Sequence, residues 1–70
     1  MDVYDDKLYP VLKVTFFERK GVVWKMVNGE IEGTILYSTI EDLQTAANIG
    51  LLCKRPANLE EEMLIDEVLK

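Results

Sequence analysis

Residues 22–33, Val-Val-Trp-Lys-Met-Val-Asn-Gly-Glu-Ile-Glu-Gly, decide the fold. β-Branched and aromatic residues on both sides of Asn28-Gly29 predict two strands, over residues 22–27 and 30–37. Asn-Gly is the strongest short signal for a two-residue type I′ turn, because both turn positions need a positive φ. The cross-strand pairs that this turn predicts are Val27 with Glu30, Met26 with Ile31, Lys25 with Glu32 and Trp24 with Gly33.

A further strand is predicted over residues 11–17, which completes an antiparallel meander. The turn at residues 18–21 allows two registers. A two-residue loop places polar residues of the first strand on the Trp24 face, whereas a three-residue loop with a left-handed Gly21 places apolar residues there. We predict the three-residue loop, since it gives one continuous apolar face that a one-residue slip would destroy. That face consists of Leu12, Val14, Phe16, Val22, Trp24, Met26, Ile31, Ile35 and Tyr37.

Two short helices are predicted after the meander. The first begins with a capping box, Ser38 with Glu41, and ends near Ile49 before Gly50. Its residues Ile40, Leu43 and Ala47 recur at helical spacing and should lie on the sheet. The second helix is predicted over residues 59–69, with Asn58 as N-cap and Glu61 as its capping-box partner.

These elements predict one α+β domain over residues 11–70, with an N-terminal arm at residues 1–10. The fold class is a three-stranded antiparallel meander followed by two short helices (βββαα). The apolar link Leu51-Leu52-Cys53 leaves open a short extra edge strand near residues 51–54.

The composition of the 70 residues excludes several classes of protein. Cys53 is the only cysteine and histidine is absent, so neither an intrachain disulfide nor a common zinc site is expected. No apolar run approaches the roughly 20 residues that span a bilayer. The acidic start of the chain is unlike a secretory signal, which predicts a cytoplasmic protein. The net charge of −5 disfavours nucleic-acid binding, because phosphate groups repel it.

The sequence offers no set of residues with the pattern of a catalytic site. Cys53 lies beside Lys54 and Arg55 but has no histidine to act as its base, so we interpret it as a buried or half-buried structural thiol. The acidic runs Asp5-Asp6 and Glu60–Glu62 lack the spacing of a calcium loop and are interpreted as solvated charge. We therefore expect no enzyme activity, no metal and no cofactor.

Apolar residues exceed what one small core needs. The second face of the predicted sheet carries apolar side chains, and the last helix has a stripe (Leu64, Ile65, Val68 and Leu69) with Leu59 and Met63 on the opposite side. Surplus apolar surface on a chain without a disulfide or metal suggests association. The candidate interface residues are Val11, Phe17, Val23, Val27, Leu36, Leu59 and Met63. We also expect Trp24→Ala to be among the most damaging changes, as Trp24 is predicted to be buried.

The segment from Leu12 to Phe17, Gly21, Trp24, Asn28-Gly29-Glu30-Ile31 and Tyr37-Ser38-Thr39 resembles the small YegP-like proteins over roughly residues 12–50. The resemblance implies an intertwined dimer or tandem repeat of a ββ(β)α unit, in a family with no assigned activity. The chain departs from that pattern at Ile35-Leu36, at Glu41 and by one residue fewer before Asn28. A weaker likeness is to the antitoxin domain of HicB type, whose diagnostic proline and glycine are missing here.

Two functions are expected from these observations. The first is a small non-enzymatic protein-interaction module that acts as a homo-oligomer, as a dimer in its simplest form. The alternative is an acidic phage-type inhibitor or antitoxin-like protein that occupies a basic site on a target enzyme.

Overall fold

The computed structural model describes residues 1–7 and 12–70. The protein is α+β, as predicted, but its antiparallel sheet has five strands instead of three, in the order β4-β3-β2-β1-β5. The elements are β1 (Asp2–Asp6), β2 (Val14–Arg19), β3 (Val22–Val27), β4 (Glu30–Gly33), α1 (Ile40–Asn48), β5 (Leu52–Pro56) and α2 (Leu59–Val68).

Strand β1 corrects the prediction of a loose N-terminal arm. It lies between β2 and β5, and it buries Val3 and Tyr4 on opposite faces of the sheet. Neighbouring residues of a strand point to opposite faces, so two adjacent buried residues require cover on both sides. The segment has no strand pattern in the sequence because Asp2, Asp5 and Asp6 flank its two apolar residues. It forms a strand by pairing with β2 and with the distant β5.

The hairpin between β2 and β3 has a two-residue turn, so the predicted three-residue bulge is wrong. Arg19 pairs with Val22, and the turn residues Lys20 and Gly21 have φ values of 54° and 81°. Phe17 therefore lies opposite Trp24. The bulge was predicted because it gives a single apolar face, and that reason fails when both faces of a sheet are covered.

The hairpin between β3 and β4 confirms every predicted pair. Asn28 and Gly29 have φ values of 53° and 80°, as a type I′ turn requires. The Lys25 Nζ atom lies 3.6 Å from a carboxylate oxygen of Glu32 across the strands. However, β4 ends at Gly33, four residues before the predicted end of the strand.

The helix caps follow the predictions with one shift. The N-cap of α1 is Thr39 with Asp42 as its partner, one residue later than predicted, and Gly50 follows the helix with a φ of 88°. The N-cap of α2 is Asn58, and its capping-box partner is Glu61, as predicted. The extra strand left open near residues 51–54 is β5, at the edge of the sheet.

The two helices lie on opposite faces of the sheet. One core packs under α1 and the other under α2, which gives three layers and divides the predicted apolar face between two cores. The buried residues on the α1 side are Tyr4, Phe16, Val23, Leu43, Ala46 and Leu52. Those on the α2 side are Val3, Phe17, Met26 and Ile65.

Candidate functional site

The candidate interface residues are not brought together by the fold. Phe17 and Val23 are buried in the two cores, so they are removed from the proposed interface, and Val27 is half-buried. Val11 lies outside the described residues. The remaining residues, Leu36, Leu59 and Met63, are exposed, but Leu36 is on the α1 side and the other two are on α2.

An apolar groove of about 380 Å³ lies on the α1 side and is the first candidate site. We call it the Leu36 groove; its lining residues are Leu36, Tyr37, Asp42, Thr45, Ala46, Ile49 and Leu51. The exposed fraction is 69% for Leu36 and 67% for Ile49, and the neighbouring Ile35 is 98% exposed. Ile35 was predicted to lie in the core, but the early end of β4 places it in solvent.

The aromatic ring of Tyr37 anchors one side of this groove. Its ring packs edge-on against Phe16 with centroids 5.0 Å apart. Burial raises the pKa of the Tyr37 hydroxyl, and the negative charge of Asp6 raises this pKa further. The groove wall at Tyr37 is therefore uncharged at neutral pH and fixed to the core.

Arg55 is the centre of a charged network on the α2 side. Its guanidinium donates to the Asp5 carboxylate at 2.6 Å and 3.2 Å, and to the Glu61 carboxylate at 2.7 Å and 2.8 Å. The Thr15 hydroxyl donates to Asp5 at 2.8 Å. We call these four residues the Arg55 network. A cleft of about 410 Å³ borders it.

The hydrogen bonds of the Arg55 network shift the pKa values of its charged groups. Hydrogen bonds from Arg55 hold the pKa of Glu61 below its usual value, against the opposing effect of burial, and the Asn58 N–H adds to the lowering. Glu61 and Asp5 both raise the pKa of Arg55. Asp5 lies on β1, Arg55 on β5 and Glu61 on α2, so the network joins α2 to the sheet.

This network was not predicted from the sequence. The interpretation of Asp5 and Glu61 as solvated charge is wrong, because both carboxylates accept hydrogen bonds from Arg55. Arg55 and Glu61 are six residues apart, across the boundary between β5 and α2, whereas Asp5 is 50 residues from Arg55, so no local signal links Asp5 to the other two.

Cys53 is exposed, which contradicts the prediction of a buried or half-buried thiol. It lies on edge strand β5, opposite Asp5. The adjacent Lys54 pairs with Asp2 at 3.4 Å, and Arg55 belongs to its own network, so both neighbouring cations are engaged. In residues 1–7 and 12–70, no group of three or more Cys, Asp or Glu side chains is arranged to hold a metal ion.

A second pocket, of about 320 Å³, lies where the β2–β3 hairpin meets the end of α2. We call it the Trp24 pocket; its lining residues are Arg19, Lys20, Val22, Trp24, Val68, Leu69 and Lys70. Trp24 was predicted to be buried in the core, but it is half-buried and lines this pocket. The basic pair Arg19-Lys20 is visible in the sequence, and its proximity to Lys70 is not.

Both helices in the described part of the chain are too short to cross a bilayer. Comparisons with models of protein families, with curated proteins and with solved structures give no match. The resemblances to the YegP-like proteins and to the antitoxin domain of HicB type therefore stay predictions.

Proposed function

We propose that this protein is a non-enzymatic interaction module of the cytoplasm that forms a homodimer through the Leu36 groove. The observation that carries the proposal is the set of exposed apolar side chains at this groove, Ile35, Leu36 and Ile49. Burying a leucine or isoleucine side chain contributes about 1.5–3 kcal/mol relative to leaving it in water. A two-fold dimer would cover these three side chains on both copies, which favours association.

A second copy of the chain is a suitable occupant on grounds of symmetry and charge. A two-fold dimer places the same surface of both copies in contact, so an apolar groove meets an apolar groove. Asp42 is the one charged residue among the described groove-lining residues, and its carboxylate accepts hydrogen bonds from the Ser38 and Thr39 N–H groups. Of the 13 acidic residues, Asp42 is the one among the described groove-lining residues, so we expect little charge repulsion between two copies at this surface.

Sedimentation equilibrium at micromolar concentration tests the proposal. We expect the parent chain to sediment above its protomer mass of 8.1 kDa, and the double variant Leu36→Lys/Ile49→Lys to be folded and monomeric. Charge is costly in a buried interface, whereas both side chains are exposed in the protomer, so folding should be spared. Circular dichroism checks the secondary structure of the variant.

The matched control is Leu59→Lys/Met63→Lys, which adds the same charge on the outward side of α2, where the two side chains are 72% and 62% exposed. This variant should associate as the parent does. If it dissociates while the groove variant does not, the interface lies on α2. A parent chain that is monomeric at every concentration would reject self-association.

The acidic inhibitor is a second candidate, and the charge of α2 favours it. Residues 59–70 contain five of the 13 acidic residues and only one base, Lys70. Glu60 and Glu67 are exposed beside Leu59 and Met63, so the outward side of α2 is both acidic and apolar. An inhibitor should form a stoichiometric complex with a basic enzyme, and Glu60→Lys/Glu67→Lys should weaken that complex without changing self-association.

A further inference from the structure

We propose that the Trp24 pocket is a docking site for an acidic peptide segment of another protein, with an apolar anchor residue. The pocket lies on the α2 side of the sheet, so it is separate from the Leu36 groove. The inference rests on the chemistry of its lining and does not depend on dimer formation.

The floor of the pocket suits an apolar anchor. Val22 and Val68 are about half exposed, and Trp24 and Leu69 are half-buried between them and the core. A half-buried indole offers a large flat apolar surface and keeps its N–H available for a hydrogen bond, which is why tryptophan is enriched at binding surfaces.

The rim of the pocket suits negative charge. Arg19 donates to Asp66 at 2.6 Å, and its other guanidinium N–H groups have no acceptor within residues 1–7 and 12–70. Lys20 and Lys70 have no ion-pair partner among the residues that the structure describes. Three cationic side chains thus line one pocket, and no acidic side chain is among its described lining residues, although the chain as a whole has 13 acids and eight bases.

The overall negative charge of the chain does not prevent this docking. At physiological ionic strength the Debye length is about 8 Å, so distant carboxylates are screened while cations in contact with the peptide act fully. The cations also lie around an open apolar surface and not in an enclosed cavity. Small-molecule sites enclose most of their ligand, so an extended peptide fits this surface better than a small anion.

Intrinsic fluorescence tests the proposal directly, because Trp24 is the only tryptophan. The probe is a blocked hexapeptide of four glutamates around two central leucines, titrated at physiological salt. We expect a saturable change in Trp24 emission, and a Kd raised on the order of tenfold in Lys20→Gln/Lys70→Gln. Val68→Glu, which adds an acid to the floor, should abolish binding.

Control variants separate a local effect from one of net charge. Lys13→Gln/Lys54→Gln removes the same charge outside the pocket and should change the Kd by less than about twofold. Leu36→Lys/Ile49→Lys should bind the peptide as the parent does, whether or not the parent dimerises. Circular dichroism of each free variant confirms that it is folded.

Three outcomes would overturn the proposal. One is an unchanged Kd in both Lys20→Gln/Lys70→Gln and Val68→Glu. Another is equally tight binding of the same peptide with lysines in place of its glutamates. The third is an equal response to inorganic phosphate at the same concentration, which would show a small-anion site and not a docking surface.

Discussion

At the scale of single residues, Arg55 has the largest set of charged contacts among the described residues. Its planar guanidinium meets Asp5 and Glu61 with paired hydrogen bonds, the geometry for which arginine is better suited than lysine. Glu61 is the better shielded of the two carboxylates, with 14% of its side chain exposed against 38% for Asp5. Screening by solvent therefore weakens the Arg55–Glu61 contact less than the Arg55–Asp5 contact.

Glu61→Gln should lower the free energy of unfolding by about 1.5–3 kcal/mol, the range for a hydrogen bond to a charged group. Glutamine keeps the capping-box acceptor for the Asn58 N–H, so the change removes the ion pair and spares the cap. Urea unfolding at pH 7 measures the difference. The control is Glu60→Gln, an exposed residue of the same helical turn, which should leave stability within about 0.5 kcal/mol.

The Arg55–Glu61 contact should also make the stability of the protein depend on pH. Because the pKa of Glu61 is lower in the folded state than its usual value of 4.5, its contribution is complete above pH 4.5. That contribution is lost as the pH falls through the folded pKa, where the carboxylate takes up a proton. The parent should therefore lose more stability below pH 4.5 than Glu61→Gln does. Parallel stability curves for the two proteins would contradict this assignment.

At the scale of secondary structure, the two hairpins use the same turn with different residues. Asn28-Gly29 has the residue types that tolerate a positive φ at both positions, whereas Lys20 adopts a φ of 54° without that advantage. A left-handed conformation raises the energy of most residues by roughly 1–2 kcal/mol. The first hairpin therefore depends on the packing of Phe16 and Phe17 on opposite faces of the sheet, and the second is specified by its own turn.

Gly29→Ala and Asn28→Ala should each lower the free energy of unfolding by about 1 kcal/mol, since alanine resists positive φ. A Cβ atom at Gly29 would meet nothing within 4 Å, so the loss would come from backbone conformation alone. Gly33→Ala is the matched control, because its added Cβ also meets nothing and its φ is not in the left-handed region. Equal stabilities for Gly29→Ala and Gly33→Ala in urea would rule out the conformational explanation.

At the scale of the whole molecule, the three-layer arrangement determines which aromatic residue matters most for stability. Phe17 is fully buried under α2, whereas Trp24 is half-buried at a pocket. The prediction that Trp24 is buried in the core is therefore wrong, and we now expect Phe17 to contribute more to stability. A small domain has only about 5–15 kcal/mol of stability, so the loss of one such side chain is a large part of the total.

Phe17→Ala should cost about 3–5 kcal/mol and lower the melting temperature strongly, whereas Trp24→Ala should cost less. Thermal unfolding followed by circular dichroism compares the two without relying on tryptophan fluorescence. If Trp24→Ala melts at a lower temperature than Phe17→Ala, the two cores have been assigned wrongly. Lys13→Gln, at an exposed position, is the control for a change with little effect on stability.

Much of the local structure could be predicted from the sequence. The bounds of β3, the turn at Asn28-Gly29 and the cap of α2 at Asn58 are all observed where they were predicted. Leu36, Leu59 and Met63, which were predicted as interface residues, are exposed in the protomer, and their role in an interface stays a prediction. Each of these features depends on residues within a few positions of one another, through hydrogen bonds, preferred φ values or the period of a helix.

The remaining features were decided by tertiary structure. The pairing of β1 with β5 and the contact of Arg55 with Asp5 join segments that are distant in the chain. The register of the first hairpin places apolar residues on both faces of the sheet, which the two helices cover. The sequence shows that many residues are apolar, but it does not show that helices cover both faces of the sheet. Only that cover assigns Phe17 and Val23 to the cores and leaves the Leu36 groove and the Trp24 pocket open, because the burial of a strand residue is set by what packs against its face.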